Sequence, residues 1–165
     1  PMGGRITVFI IVAVIALIIP RGSCLAQQGG EGVSLRILAD TIKYENAIQF
    51  FQMREYGKAL REFNEYLEIY INGTHRNDAY RHIARIYFDR FEYEQSIRAY
   101  TAIYEESSNT EEGVDAYYST GICYQKMGDD AHAREVYRTI IDQYPYSDYA
   151  SQARIQMNLM KIIEK

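Results

Sequence analysis

At 165 residues, with 47% apolar and 24% charged side chains, the chain is long enough for one domain around one continuous core. Its net charge is −4; taking away residues 1–26, whose only charges are Arg5 and Arg21, leaves 16 bases against 22 acids, or −6. No run of Lys and Arg appears in that remainder, which argues against a nucleic-acid partner, and two cysteines, Cys24 and Cys123, are too few for a disulfide framework.

In chain order, residues 1–26 read as a signal peptide or membrane anchor. Met2 to Arg5 make a short positive start, and Ile6 to Ile19 make an apolar run of 14 interrupted only by Thr7. Pro20-Arg21-Gly22-Ser23 then breaks it. A spanning helix needs about 18–20 apolar residues, and Arg21 blocks extension of this run. Three fates stay open: cleavage before Gln27, lipidation of Cys24 after Gly22-Ser23, or retention of residues 6–19 as an anchor. Arg21 stands where a lipidation motif usually has Leu. Residues 27–39 are a linker and the start of the first helix. Gln27 to Gly32 is flexible by composition, so folded structure is expected to begin between Val33 and Asp40.

From Asp40 onward a step of 37 residues organises the chain. It links Ala59, Ser96 and Ala133; Phe63, Tyr100 and Tyr137; Phe50, Tyr87 and Tyr124; Ala47, Ala84 and Gly121; and Tyr66, Ile103 and Ile140. The units are 40–76, 77–113 and 114–150, and residues 151–164 begin a fourth first helix that acts as a cap. Within the third unit, Tyr117, Thr120, Gly121 and Tyr124 form one helical stripe, and Ala133, Val136, Tyr137, Ile140 and Ile141 form another. Between them Gly128 reads as a helix stop and Asp129 or Asp130 as an N-cap, while Pro145 ends the second helix. Each unit is thus helix–turn–helix. The predicted fold is all-α: a solenoid of three repeats and a C-terminal capping helix, seven helices, preceded by the hydrophobic N-terminal segment.

This pattern resembles the tetratricopeptide repeat (TPR). Residues 114–147 carry the resemblance best, through Gly121, Tyr124, Gly128, Ala133, Tyr137 and Pro145. The earlier units depart from it: Phe91 and Arg54 replace the turn glycine, and Ser108 and Ile71 replace the proline. The longer period and the phrase Tyr144-Pro145-Tyr146-Ser147-Asp148-Tyr149-Ala150 are similar to bacterial envelope scaffolds of the BamD and CpoB type. The resemblance implies an exported, periplasmic or envelope-associated protein of a Gram-negative-type bacterium that holds protein partners, extended or helical, in a concave groove. By repeat position the groove residues are Tyr44, Ile48 and Phe51; Arg81, Arg85 and Phe88; and Tyr118, Ile122 and Gln125. Aromatic and Arg side chains anchor interfaces.

Simpler readings compete with function at several positions. The tyrosines at repeat positions are core packers rather than a ligand box, and Cys123 is a small core residue. Arg81 and Arg85, one turn apart, either hold a carboxylate or pair with Asp78 and Asp89. His75, His82 and His132 are isolated, and Glu105-Glu106 and Glu111-Glu112 read as solvated charge. With no metal-ligand spacing, phosphate loop or nucleophile motif, no enzyme activity, metal or cofactor is expected. Asn72-Gly73-Thr74 matches a glycosylation sequon but reads as an inter-helix turn. The rival to a scaffold is a structural subunit, either of a membrane-anchored complex held by residues 6–19 or Cys24, or of a self-assembling extracellular filament.

Overall fold

The computed structural model describes the backbone of residues 24–163 and the side chains of residues 35–162. The apolar run at 6–19 and the side chain of Cys24 lie outside them. Among the described residues seven helices follow one another: α1 (Cys24–Gln52), α2 (Tyr56–Ile69), α3 (Arg76–Asp89), α4 (Tyr93–Ser107), α5 (Glu111–Met127), α6 (Asp130–Gln143) and α7 (Asp148–Ile163). No strand occurs among the described residues, and no helix there is long and apolar enough to cross a membrane. Residues 1–34 and 35–165 separate into two units, and the second is described below. The linker expected at Gln27–Gly32 falls inside α1 instead. Composition marks its glycines as breakers, but each costs only about 1 kcal/mol in a helix interior, and propagation adds one hydrogen bond per residue.

The short links at 53–55, 90–92 and 128–129 set each pair of helices antiparallel. From α2 onward each helix packs on the next, and α7 also reaches α5. The repeat columns are the core. Ala59, Ser96 and Ala133 are fully buried, as are Tyr66, Ile103 and Ile140. Small residues at Ala47, Ala84 and Gly121 let the paired helices close: a Cβ on Gly121 would lie 2.6 Å from the Tyr137 ring. Ser96 is tolerated in an alanine column because its hydroxyl donates to the Ala84 carbonyl at 2.9 Å. Cys123 lies against it, its thiol 3.5 Å from the Ser96 oxygen. Burial pushes the Cys123 thiol up, away from the thiolate that reactivity requires.

The three intra-pair turns share one backbone solution. Arg54, Phe91 and Gly128, 37 residues apart, all adopt positive φ, at 58°, 62° and 78°. In each, the next residue's N–H reaches back five positions, Glu55 to Phe50, Glu92 to Tyr87 and Asp129 to Tyr124, at 2.9 Å. These are Schellman helix ends. Only Gly128 is at ease there; a side chain in the left-handed region costs about 1–2 kcal/mol. The period therefore survives in the backbone where the turn glycine is lost. Asp129, the nearer of the two candidate caps, accepts from the His132 N–H at 3.2 Å, and α6 stops at Gln143, before Pro145.

Candidate functional site

The nine residues singled out on the first helices lie where one first helix meets its neighbours. On α1, the Tyr44 ring stacks on His75 at 4.5 Å and tilts against Phe63 and Tyr66. Burial raises its hydroxyl pKa to about 12. Phe51 meets His82 of α3 edge-on at 4.7 Å, and the Arg85 guanidinium lies 5.8 Å over the same phenyl ring. Phe88 packs edge-on against Tyr93 at 5.3 Å. On α5, Tyr118 is wedged between Tyr137 and Tyr149, with ring centroids 5.5 and 5.6 Å away. Ile48 and Ile122 are half-buried against the core, and Gln125 accepts a hydrogen bond from the Tyr137 hydroxyl at 2.7 Å.

The two arginines differ. Arg81 pairs with Asp78 at 3.4 Å and with Glu112 of α5 at 2.8 Å. Arg85 is exposed and makes no ion pair among the described residues. Pairing with Asp78 was legible one turn away; pairing with Glu112, 31 residues on, was not. Glu112 also accepts from Asn77 at 3.0 Å, and Glu106 from Arg76 at 2.8 Å, so those two glutamates are bridges between helices rather than solvated charge. Sequence reasoning also left out Ile155, Leu159 and Ile162. They are the 37-residue successors of Tyr118, Ile122 and Gln125, and all three are exposed on α7. One more step of the same period finds them.

His82 is isolated from other ligands but not from the core. Its ring stacks on Phe63 at 5.3 Å with a 4° interplanar angle, and its Nδ1 is buried without a hydrogen-bond partner. Burial lowers its pKa, with Arg85 and Arg81 adding to the effect and Asp78 opposing it. A histidine that is harder to protonate folded than unfolded stabilises the fold above the unfolded pKa of about 6.5; that contribution is lost as pH falls below it. The urea midpoint of the wild type should therefore fall between pH 7 and pH 5 by more than that of His82→Phe. Equal falls would show that the imidazole is not what acid acts upon.

Around the sequon, the Thr74 N–H and hydroxyl both donate to Asp40 Oδ2, at 2.9 and 3.1 Å. Burial opposes ionisation of Asp40, but hydrogen bonds from Tyr66 and Thr74 outweigh it and hold the carboxyl below its usual range. Gly73 closes a turn onto the Tyr70 carbonyl at 2.9 Å. Among the described residues no three His, Cys, Asp or Glu side chains gather closely enough to hold a metal ion.

Paired helices with close-packed small residues, a left-handed turn and a proline after the second helix are now in place around α5 and α6. Residues 115–147 match the tetratricopeptide repeat. No curated protein matches the sequence. The matched segment spans most of α5 and all of α6, and the described residues are built of helical repeats. Tetratricopeptide repeats suggest a scaffold for protein–protein interaction, and domains built from them typically bind protein partners.

Proposed function

We propose that this chain is an exported scaffold of the bacterial envelope, of the BamD and CpoB kind it resembles, and that it acts by binding rather than catalysis. It holds an extended or helical segment of a partner protein along the first-helix face. Apolar burial comes from Tyr44, Ile48, Phe51, Phe88, Tyr118 and Ile122, and orientation from Arg85. The observation that carries this reading is Arg85 itself, an exposed guanidinium with no ion pair among the described residues, held over the Phe51 ring in the middle of that row. Arg81 contributes less, because Glu112 already answers its charge, and Gln125 is engaged by Tyr137.

Arg85→Glu tests the face with little risk to the fold, since the side chain is exposed. Affinity purification from native cells should lose at least one protein that the wild type retains, with the melting temperature changed by no more than about 3 °C. An identical set of partners would sink the groove. Export is tested separately by the intact mass of the protein taken from native membranes. A mass beginning at Gln27, a lipid on Cys24 or a retained segment 6–19 would each support it and say how the scaffold is held. An unprocessed chain found only in the cytosol would overturn it.

A further inference from the structure

The turn that places Arg54 in the left-handed region also gathers charge that is dispersed along the chain. Arg54, Lys58 and Arg61 from the α1–α2 turn and the first turns of α2, with Arg90 from the end of α3, line a shallow cleft of about 620 Å³. Two carboxylates answer part of this charge: Glu55 pairs with Lys58, and Glu92 pairs with Arg90 at 2.8 Å. Glu65, one turn beyond Arg61, forms its ion pair with Lys43 at 2.7 Å and meets the Arg61 charge only at longer range. Arg54 and Arg61 make no ion pair among the described residues. A chain of net charge −4 thus carries a local excess of two guanidinium groups at one cleft.

Backbone donors complete the lining. Tyr56 and Gly57 open α2 and border the same cleft; the first N–H groups of a helix have no intrahelical acceptor and carry its positive end. Glu55 makes no side-chain cap there. Gly57 leaves the approach clear, since a Cβ added to it would meet nothing within 4 Å. Arg54 takes the left-handed conformation that the repeat imposes at this turn and that the third repeat gives to Gly128.

We propose that this cleft binds a phosphate-bearing ligand carrying two or more negative charges. Two guanidiniums that form no ion pair among the described residues and a helix end call for about two charges, and the planar guanidinium fork fits phosphate oxygens in pairs. A lone carboxylate would leave one arginine unanswered. The ligand is either a soluble phosphorylated molecule or the headgroup of an anionic phospholipid, since both present the same oxygens. The site uses none of the first-helix residues assigned to partner binding, so it stands or falls apart from that reading.

The test is titration of the full chain with inorganic pyrophosphate, followed by calorimetry, alongside the double variant Arg54→Gly, Arg61→Gln. Saturable binding is expected in the wild type and a weakening of at least about tenfold in the variant. Glycine favours the backbone conformation at position 54, so the variant should melt no lower than the wild type, and lost binding could not be ascribed to unfolding. Sedimentation with phosphatidylcholine vesicles, with and without phosphatidylglycerol, separates the sources. Pelleting with the anionic vesicles that the variant loses and pyrophosphate displaces assigns the headgroup; pyrophosphate binding without pelleting assigns the soluble ligand. Binding undiminished in the variant, or a wild type that binds neither probe, would overturn the proposal.

Discussion

Alanine at Tyr137 should cost about 4 kcal/mol, as truncation of a large buried ring usually does, and lower the melting temperature by roughly 10 °C or more. The residue is fully buried. Its ring fills the space left by Gly121, supports Tyr118, and donates its hydroxyl to Gln125. Alanine therefore opens a cavity at the junction of α5 and α6 and leaves Gln125 without its donor. Tyr137→Phe separates the two losses: keeping the ring and removing the hydroxyl should cost about 1 kcal/mol. Tyr146 is fully exposed and serves as the control, with Tyr146→Ala changing stability by less than about 0.5 kcal/mol. If chemical denaturation found the Tyr137→Ala and Tyr146→Ala variants equally stable, the core drawn here would be wrong.

Gly113→Ala should be nearly as damaging, while Gly57→Ala should be neutral or stabilising. Both glycines lie in the first turn of a helix, where alanine is ordinarily favoured by up to about 1 kcal/mol. Gly57 has open space around it. Gly113 does not: its added Cβ would collide with the Ser107 carbonyl and come within 2.6 Å of that carbonyl carbon. The α4–α5 turn is held there by Thr110, which donates to the Ser107 carbonyl at 2.8 Å and accepts from the Gly113 N–H at 3.1 Å. Because the obstacle is backbone, relief requires moving the turn, with a loss of about 2–3 kcal/mol. Thermal melts of the two variants should shift in opposite directions. Two shifts of the same sign would mean that helix propensity, not this close approach, governs position 113.

The all-α repeat architecture was legible because every unit states it again. The fully buried residues Ala59, Ala133, Tyr66, Ile103 and Ile140 are the ones that the 37-residue step aligns. Gly128 and Pro145 bounded α6 correctly because their effects act within a few residues. The same locality explains the errors. Gln27 to Gly32 looks like a linker residue by residue, but a helix extends from its neighbours. Arg54 and Phe91 stand at the turn-glycine position, but neither side chain prefers the left-handed region; the packing of the paired helices imposes it.

For the candidate face, the step of 37 and the resemblance to the tetratricopeptide repeat together pointed to nine side chains on the first helices. Which of them remain available was decided by contacts between helices. Glu112 takes Arg81 across 31 residues and Tyr137 takes Gln125, while Arg85 stays exposed and Tyr118, flanked by Tyr149, stays half-buried. The cleft of Arg54, Lys58, Arg61 and Arg90 arises in the same way, from two turns brought together. By itself the sequence determined the helices from Asp40 onward, their pairing and the residues between them, because burial repeats at the period of the backbone. Only the tertiary structure decided where charges meet and which remain unpaired, because Coulomb interactions act across space between residues that no local period relates.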